Sequence, residues 1–290
     1  MVEILNLIKD LRDRTGAGFL DCKNALIKND NNIEKSIDFL RTKGLSKANK
    51  KSDRITKEGV VTINILKDSA TIMEINTETD FSAKNNEFLD FVKKLNLNSN
   101  DTKNLQEFLE FKDSSFNVKE SLIDIIAKIG ENVVIKKYEK IHNKDSSKIF
   151  GYVHNCYEKN IGKIACLLNI HAKEFNEELN NLANNICMHI AAMKPLSLNI
   201  DQLDNDLIQK EEKILIETIK SDKNSNKKSS EVINKIVKGK LQKFFEDVVL
   251  LEQKFIIDNK TKIKEVLSNY SKQNNIDIKI IEYKLLILGN

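Results

Sequence analysis

The segment Asn76–Asn85 holds the most suggestive pair of side chains in this chain, an acidic and an aromatic residue, Asp80 and Phe81, in succession. The run before them, Ala70–Asn76, alternates apolar and polar residues as a strand does, and the run after them has helical spacing. Connections between such elements commonly display binding residues. A carboxylate beside an aromatic ring offers a hydrogen-bond acceptor and an apolar surface, which suits the binding of a partner.

The same pair also has a purely structural interpretation. Asp80 can be the N-cap of the following helix, where its carboxylate would accept hydrogen bonds from unpaired amide groups. Phe81 can pack under the first turn of that helix. The helix itself is predicted by apolar residues at spacings of three and four, namely Phe88, Phe91, Val92 and Leu95.

Catalytic and metal-binding chemistry finds little support in this chain. The four histidines are scattered without metal-ligand spacing: His142, His154, His171 and His189. Of these, only His154 is predicted to be exposed. The four cysteines lie far apart and are predicted to be buried free thiols: Cys22, Cys156, Cys166 and Cys187. No glycine-rich phosphate loop is present either, so we expect no enzyme activity, no cofactor and no metal.

The composition indicates a globular protein that acts on another protein. A chain of 290 residues with 40% hydrophobic content is long enough for two or three compact units. The net charge of +4 is small against 47 basic and 43 acidic residues, so we expect no direct nucleic-acid partner. No apolar run is long enough to span a bilayer, and Glu3 precedes any apolar block, so we expect a cytoplasmic protein with no membrane contact.

Residues 1–55 predict a three-helix domain followed by a basic linker. Apolar residues at helical spacing define the helices, Gly16 and Gly18 separate the first two, and the third is predicted to stop near Gly44. The stretch Lys43–Lys57 is basic with few hydrophobic residues and is predicted to be a solvated linker, with a weak electrostatic contact surface as the alternative.

Residues 56–142 and 143–290 predict two related α+β subdomains. In the first we predict strands 59–66 and 70–76, helices 83–95 and 118–129, closure at Gly130, and a strand from Val133 to Ile135. In the second we predict strands 149–154 and 163–172, a helix 177–193 and a strand 278–288. This repeated plan indicates an internal duplication with antiparallel sheets.

A helical hairpin is inserted in the second subdomain at about residues 201–247. Apolar residues on both halves, linked by the polar run Ser221–Ser230, predict an antiparallel coiled-coil arm that can also dimerise. The predicted fold class is therefore α+β, with a three-helix bundle, two sheet subdomains and a coiled-coil insertion.

Several segments together resemble the elongation factor Ts family of bacteria and organelles. Thr79–Phe81 followed by Ala83–Asn85 resembles the family signature, and Leu11–Leu26 resembles its opening pattern. Further matches follow in the expected order: Ile129–Asn132, Gly151–His154, His189–Ala192, Lys194–Pro195, and Leu250–Gln253 followed by Phe255. The resemblance covers nearly the whole chain.

The resemblance implies a factor that binds the GDP-bound and nucleotide-free forms of elongation factor Tu and speeds the loss of GDP. In this family the segment matched by Thr79, Asp80 and Phe81 inserts beside the helices that support the Mg²⁺ site of the partner. The resemblance also implies that the N-terminal bundle is a ubiquitin-associated-like domain.

Further partner contacts are implied at matching positions. They are Arg12, Phe19, Leu20 and Lys23 in the bundle, Ile129 and Gly130 in the first subdomain, and His154, Ile256 and Ile257 in the second. Phe19 and Leu20 also have a structural interpretation, in which both belong to the bundle core.

The chain departs from the family pattern in several places. Ser82 stands where an apolar residue is usual, Lys254 replaces a common proline, and Lys136 and Lys137 stand where arginine is frequent. The sequence closes at Asn290 without the C-terminal helix of many relatives. We therefore expect a weaker grip on the nucleotide domain of the partner and a greater dependence on the N-terminal bundle.

A competing interpretation uses the bundle and the basic linker differently. In it, the protein is an adaptor or an RNA-associated chaperone that does not affect nucleotide release. Phe81→Ala separates the two, because an adaptor would keep its partner and an exchange factor would lose activity.

Overall fold

The computed structural model describes residues 2–221 and 230–290. It combines helices with antiparallel sheets, which confirms the predicted α+β class. The chain forms two compact units. The first contains the residues up to 142 together with 153–165 and 286–290, and the second contains residues 143–152 and 166–285.

The elements of the described residues have the following bounds. The helices are α1 (Val2–Thr15), α2 (Phe19–Lys28), α3 (Ile33–Asn49), α4 (Asp80–Ala83), α5 (Asn86–Asn98), α6 (Leu105–Leu109), α7 (Val118–Ile129), α8 (Glu177–Met193), α9 (Asn205–Ser221), α10 (Ser230–Val248) and α11 (Ile263–Asn274). The strands are β1 (Glu58–Ile65), β2 (Ser69–Thr77), β3 (Val133–His142), β4 (Ser147–His154), β5 (Ile161–Gly162), β6 (Ile164–Ala172) and β7 (Ile278–Ile287).

Helices α1, α2 and α3 form the predicted three-helix bundle. Their apolar faces bury a small core made of Ile8, Leu11, Cys22, Ala25, Leu26 and Leu40. The prediction that α3 stops near Gly44 is wrong, because the helix continues to Asn49. Gly44 is buried against α7, and a Cβ atom on it would lie 3.4 Å from Ile123 Cγ2. The glycine therefore marks a close helix contact and not a helix end.

The basic stretch Lys43–Lys57 is not the solvated linker that we predicted. Its first part belongs to α3, where the Nζ atoms of Lys43 and Lys47 bind the two carboxylate oxygens of Asp21 at 2.7 and 2.8 Å. Further along, Arg54 Nη1 lies 3.4 Å from Glu78 Oε1. These basic side chains are paired within the first unit.

The first sheet has the strand order β3-β2-β1-β5. Strands β1 and β2 form the predicted hairpin, and β3 pairs with β2 in antiparallel register. Strand β2 is buried along its whole length. The first sheet and the helices of its unit share one hydrophobic core, to which α5 contributes Phe88, Leu89, Phe91, Val92 and Leu95. Strand β5 and helix α6 were not predicted, because elements this short show no readable period.

The second sheet has the order β4-β6-β7. Its second strand in chain order, β6, lies between the other two, as β2 lies between β1 and β3 in the first sheet. In both units the third strand follows a helical segment. The internal duplication stays a prediction. Helix α11 was not predicted, although its buried residues Ile263, Leu267 and Tyr270 recur at helical spacing.

Helices α9 and α10 form the predicted hairpin and pack against each other. Ile219 and Val237 are buried, whereas Ile214 is exposed, so the apolar seam is not continuous. The predicted polar connection falls mostly on residues 222–229, which lie outside the described residues. Dimerisation through the arm stays a prediction.

Candidate partner-binding site

The Thr79–Phe81 segment lies at the junction between β2 and α4. The sequence analysis predicted that Asp80 and Phe81 lie between a strand and a helix. The single helix predicted after Asp80 is two helices, α4 and α5, whose N-caps are Thr79 and Asn85, so the interpretation of Asp80 as an N-cap is wrong. Thr79 has an extended backbone, and its Oγ1 accepts a hydrogen bond from the Ser82 N–H at 3.3 Å. A threonine suits this position because it favours strands and also caps helices. Asp80 is left as the first residue of the helix.

The carboxylate of Asp80 pairs with the lysine that is the C-cap of α4. Asp80 Oδ2 lies 2.8 Å from Lys84 Nζ, with both side chains substantially exposed. The hydrogen bond from Lys84 and its positive charge lower the pKa of Asp80 below its usual value and raise that of Lys84. Asp80 is therefore ionised, but an exposed pair of this kind contributes little to stability.

Phe81 is displayed to solvent. Its side chain is 83% exposed, so the interpretation that packs it under the first turn is wrong. Ala83, on the same one-turn helix, is fully buried. Helix α4 thus turns a small residue inward and the aromatic ring outward.

The elements behind this segment are held by packing and capping. Phe88 and Phe91 of α5 are buried, with ring centroids 6.4 Å apart. Asn85 caps α5 by accepting a hydrogen bond from the Glu87 N–H at 2.8 Å. The displayed ring therefore follows a buried strand and precedes a capped, core-packed helix.

The turn after α7 is hydrogen-bonded to the junction and braces it. Glu131 accepts hydrogen bonds from Thr79, at 2.7 Å from Oγ1 and at 3.0 Å from the N–H. In the reverse direction, the Asn132 N–H donates to Glu78 Oε1 at 2.6 Å. Burial alone would raise the pKa of Glu131, but hydrogen bonds from Thr79 and Ser82 outweigh it and lower that pKa. Glu131 is thus held as an ionised acceptor.

Ile129 and Gly130 lead directly into this brace. Ile129 ends α7 and is partly buried against the core. Gly130 is the C-cap of α7 with φ of 78°, a left-handed conformation that glycine adopts without strain. The structure therefore brings the 79–81 and 129–130 segments together through Glu131.

Sequence reasoning assigned no role to Glu78, Lys84 or Glu131. Glu131 and Asn132 lie inside the Ile129–Asn132 match, so the signal was present. Nothing local identified Thr79 and Glu78 as the partners of Glu131 and Asn132, because these partners lie more than fifty positions away in the chain.

In the bundle, the predicted contact residues lie on exposed surface. Phe19 and Leu20 are 45% and 70% exposed, so the interpretation that places them in the core is wrong. Lys23 lies one turn further along α2, and Arg12 is near the end of α1, both exposed. Together they present apolar and basic side chains to solvent.

His154 is exposed at the end of β4, as predicted. Its carbonyl oxygen accepts a hydrogen bond from the Lys163 N–H at 3.0 Å. His142 is also exposed, so the prediction that only His154 would be is wrong. Cys156 is exposed as well, contrary to the expectation of buried thiols, and its Sγ donates to the Val153 carbonyl at 3.1 Å.

Ile256 and Ile257 lie in a tight turn of the second unit. The turn is closed by the Phe255 N–H, which donates to Thr261 O at 2.9 Å, and by Asp258, which accepts from the Thr261 N–H at 3.1 Å. Phe255 is buried, whereas Ile257 is 60% exposed. The turn therefore anchors one apolar residue and displays the next.

The described residues contain no group of three or more His, Cys, Asp or Glu side chains arranged to hold a metal ion. Among the same residues, no helix is both long and apolar enough to cross a membrane.

Known proteins match this chain along almost its full length. The family model described as Elongation factor TS matches residues 78–290. Elongation factor Ts of Ehrlichia canis (strain Jake) is 37% identical over 290 residues, covering 98% of each chain. Those of Rickettsia peacockii (strain Rustic) and Rickettsia bellii (strain OSU 85-389) are 38% and 36% identical, covering 97% of this chain and 90% of each relative.

The fold and these matches define a translation elongation factor, a protein of protein biosynthesis. Within that class, the chain belongs to the elongation factor Ts family.

Proposed function

We propose that this protein is a guanine-nucleotide exchange factor that binds GDP-bound elongation factor Tu in the cytoplasm and promotes release of the GDP. The observation that carries the proposal is Phe81, an aromatic side chain 83% exposed on a junction braced by Glu131. A large exposed apolar residue on a rigid support suits insertion into a partner. Family membership supplies the partner.

Exchange is a coupling of two binding equilibria and needs no bond-breaking chemistry, so no catalytic residue is proposed. The factor by which this protein lowers the affinity of the partner for GDP equals the factor by which GDP lowers its affinity for this protein. The contacts must therefore be stronger with the nucleotide-free partner than with the GDP-bound one.

In the proposed mechanism, Phe81 enters a site beside the helices that support the Mg²⁺ ion of the partner. Burial of this ring contributes about 1.5 to 3 kcal/mol. Mg²⁺ needs near-ideal octahedral geometry, so a small shift of its supporting helices weakens the binding of ion and nucleotide. Asp80, ionised beside Lys84, accompanies the ring as a hydrogen-bond acceptor, and Thr79 fixes their direction.

The remaining predicted contacts hold the partner in place. Arg12, Phe19, Leu20 and Lys23 are each exposed on the bundle, and Ile129 and Gly130 directly precede Glu131. His154 in the first unit and Ile256 and Ile257 in the second complete the proposed set. The exposure of most of these side chains supports the proposal, because a contact residue must be accessible.

The test is the rate of release of fluorescent GDP from elongation factor Tu with wild type, Phe81→Ala and Asp80→Ala. Leu97→Ala is the matched control, since Leu97 is 77% exposed on α5 of the same unit but lies outside the proposed site. Phe81→Ala and Leu97→Ala each remove an exposed apolar side chain, which costs little folding stability. The thermal unfolding of these two variants should therefore be nearly unchanged.

We expect wild type and Leu97→Ala to accelerate release equally and Phe81→Ala to lose about tenfold or more, in line with its buried area. Wild type that binds elongation factor Tu without accelerating release would overturn the proposal and favour an adaptor. Equal losses in Phe81→Ala and Leu97→Ala would reject Phe81 as the inserted residue.

A further inference from the structure

The turn that displays Ile256 and Ile257 is connected to a fully buried histidine on α8. The Ile256 N–H lies 3.3 Å from His189 Nδ1, and the ring of Phe255 lies 6.0 Å from the imidazole, centroid to centroid. His189 has no exposed surface. The backbone and the anchoring side chain of the turn thus both contact one imidazole.

The hydrogen bonds around His189 define its tautomer. An amide N–H can only donate, so Nδ1 must be the unprotonated acceptor, and the proton lies on Nε2. Nε2 lies 3.0 Å from Gln253 Oε1, which accepts it. Burial lowers the pKa of His189, although the hydrogen bond to Gln253 acts in the opposite direction. The imidazole is therefore held neutral, the only state in which Nδ1 can accept.

Gln253 is itself locked in place. Its side chain is fully buried, and its Nε2 donates to the Asp247 carbonyl at 2.8 Å. Its backbone carbonyl oxygen accepts a hydrogen bond from the Ile263 N–H at 3.0 Å, which closes the base of the turn. Gln253 thus fixes the orientation of the imidazole through Nε2, and the imidazole in turn binds the Ile256 N–H through Nδ1.

We infer that His189 is a positioning residue for the partner-binding turn: by accepting the Ile256 N–H at Nδ1, it sets the direction in which Ile256 and Ile257 are displayed. This inference rests on the proposed function, in which these two isoleucines contact the partner. His189 touches no partner residue itself and acts only through the turn.

Two substitutions separate this role from a merely structural one. His189→Asn places an amide oxygen near the position of Nδ1 and loses the contact with Gln253. His189→Gln reaches the position of Nε2, keeps the contact with Gln253, and leaves the Ile256 N–H without an acceptor. Each variant removes the ring and one hydrogen bond, so a structural role predicts similar losses of stability and activity in both.

The full-length variants are compared in GDP release from elongation factor Tu over a range of exchange-factor concentrations. We expect His189→Gln to raise the concentration needed for half-maximal acceleration by about fivefold to tenfold, the effect of one lost buried hydrogen bond, and His189→Asn to stay near wild type. Adding Ile257→Ala to His189→Gln should cause little further loss, because both act through one contact. Adding Phe81→Ala to His189→Gln should instead multiply the losses of the two single variants, because Phe81 acts through a separate contact.

Amide hydrogen exchange provides a second readout that needs no partner. The Ile256 amide should be protected in wild type and in His189→Asn and exchange rapidly in His189→Gln, while a β2 amide serves as the reference. Equal behaviour of the two variants, or rapid exchange of the Ile256 amide in wild type, overturns the inference even if a variant folds poorly. Wild type that fails to accelerate GDP release overturns the proposed function instead, and the exchange data then still decide whether His189 holds the turn.

Discussion

Glu131 holds Thr79 at two atoms, with Oε1 2.7 Å from Thr79 Oγ1 and Oε2 3.0 Å from Thr79 N. The two residues are 52 positions apart, so the contact joins the end of β2 to the turn after α7. Thr79 also caps α4, the helix that displays Phe81. The direction of the aromatic ring therefore depends on a carboxylate from a distant part of the chain.

Glu131→Gln should weaken both stability and exchange. The amide can accept only one of the two hydrogen bonds and carries no charge, so we expect a loss of about 1 kcal/mol in the free energy of unfolding, given its partial exposure. GDP release should slow because α4 is less well held. Glu87→Gln is the matched control, since the Glu87 side chain forms an exposed ion pair with Lys128 at 3.2 Å. Equal losses of exchange in both variants would contradict a bracing role for Glu131.

The contribution of Glu131 should depend on pH in a defined direction. Its pKa in the folded protein is lowered below the usual 4.5, so its stabilisation is fully present above that value. As the pH falls below 4.5 the unfolded chain takes up the proton first, and the stabilisation is lost through the folded pKa. The difference in unfolding free energy between wild type and Glu131→Gln should therefore shrink on acidification, measured by urea unfolding. A difference that grows on acidification would show that folding does not lower the pKa of Glu131.

Gly130→Ala should destabilise the protein through backbone strain alone. With φ of 78°, the position costs a residue with a Cβ atom about 1 to 2 kcal/mol, whereas space is not limiting because the nearest atom, Lys51 Nζ, lies 3.9 Å away. Gly239→Ala, inside α10 with no atom within 4 Å of the added Cβ, should instead stabilise by about 1 kcal/mol. Chemical denaturation of both variants tests the pair, and a stabilised Gly130→Ala would contradict the left-handed cap.

Gly44 should tolerate a methyl group but not a large side chain. A Cβ atom there meets Ile123 Cγ2 at 3.4 Å and Ala127 Cβ at 3.7 Å, which are ordinary contacts. Since alanine also favours the helix, Gly44→Ala should be neutral or stabilising by up to about 1 kcal/mol. Gly44→Leu should push α3 away from α7 and cost about 1 to 3 kcal/mol. Thermal unfolding distinguishes them, and equal stability of both variants would rule out a close contact between these helices.

Much of this architecture was readable from local pattern. The hairpin of β1 and β2, helix α7 with its closure at Gly130, and helix α8 follow from apolar periodicity and from residues that end helices. The strand-to-helix position of Asp80 and Phe81 was readable for the same reason. These features depend on neighbours within a few residues, and that information is contained in a short window of sequence.

Features that depend on distant residues were missed or misjudged. Gly44 looks like a helix end in sequence, and only α7 packed against it shows why a glycine stands within a continuing helix. Lys43 and Lys47 look solvated until Asp21 is placed beside them.

The sequence by itself determined the class of fold, the order of most elements and the segment that displays Phe81, because periodicity and turn residues act locally. Only the tertiary structure decided that Glu131 binds Thr79 and that His189 accepts the Ile256 N–H. Each of these two contacts joins residues more than fifty positions apart, and a hydrogen bond of that kind forms only when the folded chain brings donor and acceptor within about 3 Å.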